Sequence, residues 1–269
     1  MHCKHCDKNL AVHDLWCSNC GHQTPIVNQD LSALASLRGS WAKLRGQLGS
    51  NIPAAAVVIL LGIIPTAVIL YLLNSFGWLD LAASQTAGSL ISQLLLTGIA
   101  VAVFIPILVM PARPVCADSG YITGWKKLLA SFNDYPKYLA LGLMCSLYYL
   151  LIYLICFGLP NFGSDPILRL VWVVLVTYFL AVLLPVPTLM ERLRINAWTA
   201  LKTSYQYFHV VRWQLFLLLL VLGLINALAV ILVLIPLLVT LPLSWYAVRD
   251  YVDKLLEYEI IRDKPRKKA

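Results

Sequence analysis

Long apolar segments leave this chain few ways to fold. Runs of about 20 apolar residues, the length a helix needs to cross a ~30 Å hydrocarbon core, lie near residues 52–73, 88–110, 138–159 and 167–190. In lipid, every backbone N–H and C=O must find a partner within the protein, so each run is predicted to be a transmembrane helix. A last apolar block, Trp213–Val248, would extend more than ~50 Å as one helix at ~1.5 Å per residue. Two helices over 210–233 and 236–254, joined by a tight turn near Leu234–Pro236, fit it better.

Sidedness leads to the same count. Only 13% of the 269 residues are charged, yet the net charge is +8, and the basic residues sit in short stretches between the apolar runs rather than on one face. Six spans with both termini in the cytoplasm place every one of those stretches inside, including the tail "RDKPRKKA". Only Arg169 falls outside, where its long stem can snorkel. Five spans would put the basic tail on the wrong side. No apolar signal region precedes the first long segment, so the head is expected to stay in the cytoplasm.

Before the first span, Leu31, Leu34, Leu37, Trp41, Leu44 and Leu48 recur at helical spacing beside Arg38, Lys43 and Arg45. That pattern predicts an amphipathic helix in the membrane interface, a solvated linker helix being the alternative. Similar pieces of the form Leu-x-x-Ser-aromatic precede each odd span, at Leu37–Trp41, Leu128–Phe132 and Leu201–Tyr205, and each even span carries a proline, Pro106, Pro187 or Pro242. They read as three units of interfacial helix plus transmembrane hairpin, against chance similarity among biased segments. The prolines are expected to kink the even helices and open a cavity between them, or to serve as packing adjustments.

The head reads differently. Cys3, Cys6, Cys17 and Cys20 form two Cys-x-x-Cys pairs, and four thiolates make a closed tetrahedral site that suits structural zinc. A rubredoxin-like iron site is the alternative; a reducing cytoplasm disfavours disulfides. So short a segment cannot bury a core, so metal would supply most of its folding free energy. His2, His5, His13 and His22 lie nearby, either as replacement ligands or simply solvated. Lys4 and Lys8 cancel Asp7 and Asp14, and a zinc with four thiolates adds about −2, so no basic footprint exists for nucleic acid. A protein partner, or the chain's own loops, fits the head better.

With Trp16 just before the second pair and Gly21 just after it, the segment resembles the short bacterial zinc-ribbon heads, in which the glycine after the first pair is replaced here by Asp7. The resemblance implies docking or structural support at the cytoplasmic end of a membrane protein. The last sixty or so residues, with Trp213, Asn226, Thr240, Pro242 and Tyr251 in the corresponding places, resemble the YciC-like group and the membrane domain attached to some glycerophosphodiester phosphodiesterases. That similarity implies six spans and hairpin packing, and no activity.

Within the spans no carboxylate, histidine or lysine marks an ion pathway. Gln93, Asn226 and Thr240 are the intramembrane polar contacts singled out, the first two as interhelical hydrogen bonders rather than substrate ligands. Cys145 and Cys156 share a helix face and read as small core residues. Asp118, Asp134, Glu191 and His209 gather at the cytoplasmic interface without matching a hydrolase or transferase motif.

The expected architecture is therefore an all-α integral membrane protein of a bacterial inner membrane. A zinc ribbon occupies 1–24, a linker with an interfacial helix 25–50, six spans in three hairpins 51–256, and a basic tail 257–269. Its partners are the lipid bilayer and a protein bound through the ribbon. The expected role is a non-enzymatic adaptor or accessory protein, with transport or lipid handling through a cavity between kinked helices as the alternative.

Overall fold

The computed structural model describes residues 2–3, 5–10, 17–20, 31–75, 98–100, 102–116, 129–157, 166–232 and 235–258. Among them the chain is almost entirely helical, and the one β feature is an isolated antiparallel bridge between His2 and Asn9 in the head. Four stretches are long and apolar enough to cross a bilayer: Gly98–Val115, Leu129–Cys156, Pro166–Arg192 and Val211–Ile231. Large apolar side chains stay uncovered along them; Leu147 is 67% exposed, Leu220 65% and Ile231 74%. Such a belt is the surface of a protein solvated by lipid, and the chain is a membrane protein on this evidence.

The first helix, α1 (Ala33–Arg45), ends at Gly46. It is followed by α2 (Leu48–Val58), a π turn (Ile59–Ile63) and α3 (Ile64–Ser75). The π turn precedes Pro65, which has no N–H to donate; the Ile64 amide reaches five residues back to Ile59 O, so the helix continues through it. The predicted span 52–73 is thus helical throughout. The apolar stretch α4 (Gly98–Val115) covers the second half of the predicted span 88–110; it is helical over 98–100 and 102–109, turns at Met110 and Pro111, and resumes as a short helix, Ala112–Cys116, while residues 88–97 and 101 lie outside the described ones. A 3₁₀ turn (Phe132–Asp134) leads into α5 (Tyr135–Phe157).

The fourth predicted span is two helices, α6 (Pro166–Leu183) and α7 (Val186–Arg192), broken at Leu184 and Pro185. Pro187 sits in the first turn of α7, where its missing N–H costs nothing, so the break falls at Pro185 rather than at Pro187. The last apolar block folds as α8 (Ala197–Ile231) and α9 (Leu237–Glu257), turning at Ile235 and Pro236. Asn196 caps α8, its Oδ1 accepting the Thr199 amide at 2.8 Å. No glycine or proline interrupts α8 before Gly223, so the third interfacial piece is continuous with the span after it instead of a separate helix.

Helix α9 lies against α1, α2 and α8, while α8 also packs on α6 and α5 on α6. Charges begin at Arg249, so the apolar part of α9 covers 237–248, about 18 Å at ~1.5 Å per residue. Helix α1 divides its predicted apolar set between two faces, Leu44 being buried and Leu34 and Trp41 exposed. Ala33, Ser36, Ser40 and Leu44 turn inward, whereas Leu34 and Trp41, 55% and 47% exposed, share the outer face with Arg38 and Arg45. Small residues let α1 approach α9 closely, which leaves the aromatic and arginine side for an interface.

The three short repeats share a burial pattern. Ser40, Ser131 and Ser204 are all buried, while the aromatics after them are exposed or partly so; the prolines of the even spans, Pro106, Pro187 and Pro242, are all buried. Close helix contacts occur between α4 and α5, and at Gly62, whose Cβ would lie 2.7 Å from Ile107 Cγ2 of α4. A Cβ on Gly142 would overlap the Ala102 carbonyl oxygen and come within 2.8 Å of Pro106 Cδ. One on Gly98 would lie 2.9 Å from Ser146 Oγ. Gly98 with Ala102, and Gly142 with Ser146, form small-x₃-small pairs on facing helices.

Candidate metal centre

In the head, Cys3 and Cys17 are buried, Cys6 partly so, and Leu10 packs beside them. Two short backbone hydrogen bonds close the first knuckle: the Asp7 amide donates to Cys3 O and the Cys3 amide to Lys8 O, both at 2.9 Å. Closing so tight a loop puts Asp7 in the left-handed region, φ 56°. A glycine would adopt that conformation freely; aspartate tolerates it better than most residues. The chain therefore makes this turn with aspartate at a position where glycine would fit without strain. Lys8 Nζ, donating to Ser18 Oγ at 3.0 Å, clips the first knuckle to the second; spacing alone could not have shown that contact.

The four sulfurs lie within 4.8 Å of one another, with Cys3 and Cys20 Sγ 3.5 Å apart and Cys6 and Cys17 Sγ 3.3 Å apart. None of these is a disulfide. Four thiolates ~2.3 Å from a single tetrahedral ion stand roughly 3.8 Å from each other, so the cluster has the dimensions of a Cys₄ metal site. Its electrostatics favour thiolates. The backbone amides of Asn19 and then Cys20 pull the Cys17 thiol down to about 6, against the opposing effect of burial. The amide of His5, more than burial opposes it, lowers Cys3 as well. His2 and His5 are exposed, and Nδ1 of His2 faces Asp7 O at 3.4 Å; His13 and His22 lie outside the described residues.

The carboxylates at the other candidate cluster are engaged. Glu191 accepts from Lys137 Nζ at 2.6 Å and from the Tyr138 hydroxyl at 2.7 Å. Asp253 takes both Nε and Nη2 of Arg192, at 2.7 and 2.6 Å, and Arg249 at 3.2 Å. Asp250 sits between Lys43 and Lys254, at 2.9 and 3.0 Å, and Arg113 pairs with Asp134. These contacts join α1, α4, α5, α7 and α9 at one end of the bundle. Only Asp250–Lys254 and Arg249–Asp253, four apart on a helix, were visible as sequence spacing. Asp118 and the His209 side chain lie outside the described residues.

Of the intramembrane residues, Asn226 makes the expected interhelical hydrogen bond. Its Nδ2 donates to Ser244 Oγ at 2.8 Å, and that hydroxyl donates to Thr240 O at 2.8 Å. Asn226 Oδ1 and Thr240 Oγ1 are buried without a hydrogen-bond partner among the described residues. Gln93 lies outside them. A cavity of about 280 Å³ opens beside Pro187, Thr188, Gly223, Asn226 and Ser244, between α4, α7, α8 and α9; Thr240 is not on its wall. Cys145 and Cys156 are both buried, as core residues would be.

No family model, curated protein or solved structure matches the chain.

Proposed function

We propose that the chain is a non-enzymatic adaptor of a bacterial inner membrane, six spans with both ends in the cytoplasm, whose head is a zinc ribbon that docks on a protein partner or on the chain's own loops. The donor set carries this reading: four converging sulfurs leave a tetrahedral ion no open position for water or substrate, so the ion serves structure. Zinc is preferred to iron on the paired Cys-x-x-Cys spacing and on the resemblance to zinc-ribbon heads. The metal-loaded head is acidic, which suits a basic surface on its partner. Six spans rest on the charge asymmetry of the loops and on the helical hairpin of α8 and α9.

Metal analysis of the purified full chain tests the head: one zinc per chain is expected, and Cys17→Ser removes it. A reporter fused to the C-terminus is expected inside; an outside C-terminus rules out six spans. Membrane proteins that co-purify with the wild type and are lost when residues 1–24 are deleted identify the partner, and an unchanged set refutes docking on a separate partner through the head. A second reading, handling of a small molecule or lipid, is supported by the cavity at Asn226 and Ser244 between the proline-bearing helices.

A further inference from the structure

A second and larger cavity, about 500 Å³, lies on the side of the bundle between α5, α6 and α8. Its inner wall is aromatic. Tyr148 of α5 stacks on Phe179 of α6 with centroids 3.8 Å apart, and Tyr178 meets Phe208 of α8 edge-on. Trp198, Lys202 and Tyr205 of α8 also line it, and Trp198 and Tyr205 are 67% and 61% exposed.

Pairings between the helices set its depth. Lys137 on α5 meets Glu191 at the charged end of the bundle. Tyr148 is 11 residues further along α5, about 16 Å at ~1.5 Å per residue, or half of a ~30 Å hydrocarbon core. Helix α8 runs antiparallel to α6, with Ser204 Oγ donating to Val182 O at 2.6 Å, so Trp198 and Lys202 lie toward the charged end. The slot thus has one cation toward its charged end and aromatic carbon above it, reaches mid-membrane depth at Tyr148, and is flanked by exposed Leu143, Leu147 and Leu151 of α5. Lys43, Lys137 and Arg192 hold carboxylates, but Lys202 has no ion pair among the described residues.

We infer that this slot seats one acyl chain of an anionic phospholipid, with the lipid phosphate on Lys202. The lining is that of an amphiphile's site: a cation on the side toward the charged end and apolar, aromatic walls on the side toward the membrane centre. A Lys near the headgroups is worth roughly a fivefold preference for an anionic lipid, and aromatic walls suit a chain held against rings at interface depth. The inference rests on the bundle lying in a bilayer and is independent of whether the head binds metal.

The full chain is reconstituted in phosphatidylcholine vesicles containing either brominated phosphatidylglycerol or brominated phosphatidylcholine. The fluorescence of Trp198 is taken as the difference from Trp198→Phe. Half-quenching is expected at about fivefold less brominated phosphatidylglycerol than phosphatidylcholine. Lys202→Gln abolishes that preference, Lys202→Arg keeps it, and Leu201→Phe, which fills the slot, weakens quenching by both lipids. Equal quenching of the wild type by the two lipids overturns the inference, as does a preference that survives in Lys202→Gln. Displacement by excess glycerol 1-phosphate in the buffer also overturns it, because the site would then take a soluble phosphate rather than a lipid.

Discussion

Replacing Gly142 with alanine adds a single methyl group where α5 crosses α4 at close range. The new Cβ would point into the Ala102 carbonyl oxygen and stand 2.8 and 3.0 Å from Pro106 Cδ and Cγ. Neither obstacle can rotate away, since one is backbone and the other a ring within α4. Overpacking of this kind costs about 1–3 kcal/mol, with the upper part of the range for a rigid obstacle. Any Cα–H···O contact to that carbonyl, worth about 0.5–1 kcal/mol, is strained as well. Alanine returns up to about 1 kcal/mol of helix propensity, leaving a net loss near 2 kcal/mol. Gly223→Ala is the control, because no atom lies within 4 Å of its Cβ position, and it is expected to be neutral or to stabilise by up to about 1 kcal/mol. Reversible unfolding in mixed detergent micelles, followed by circular dichroism, measures both. Gly142→Ala as stable as the wild type would refute the close crossing, and equal losses from both substitutions would show that position in the helix, rather than contact, sets the cost.

The head and the charged end yield three more predictions. Asp7→Gly removes the strain of a left-handed residue and is expected to raise metal affinity several-fold, about 0.5–1 kcal/mol; a chelator competition in which glycine weakens binding contradicts the turn. Asp253→Asn deprives Arg192 and Arg249 of their shared carboxylate and is expected to cost about 1–2 kcal/mol, a bidentate pair discounted for its partial exposure; thermal unfolding unchanged within error would show that the pair is merely surface decoration. In metal-free protein whose head is shown to stay folded by protection of the Cys3 and Asp7 amides, thiolate absorbance attributed to Cys17 by comparison with Cys17→Ser should persist as pH falls and disappear through about 6. Because that thiol is depressed in the folded head, its stabilisation is complete above the ordinary thiol value and is lost as pH falls through about 6. Loss of the signal already near the ordinary thiol value would mean that the knuckle amides do not reach the sulfur.

Much of this molecule was legible in one dimension because two of its constraints act locally. A run such as Tyr138–Phe157 becomes a helix wherever it meets lipid, since its backbone must bond within itself. Two residues between paired cysteines suffice to aim their sulfurs at one point. Asn226 is predicted from sequence to hydrogen-bond between helices, but its donor role and its partner Ser244 became visible only when α8 and α9 turned back on each other. Periodicity gave the amphipathic character of α1 but not what its other face meets: Ser36 and Ser40, small rather than greasy, are buried and permit close packing on α9, while Leu34 and Trp41 look outward. The chain's own chemistry thus determined the bilayer-length helices and the ligand set. Tertiary structure alone decided which helices touch, that Glu191 and Asp253 are held by cations from other helices, and that an aromatic slot with Lys202 opens on one side. Those features depend on distances between residues tens of positions apart, which packing sets and local sequence pattern does not encode.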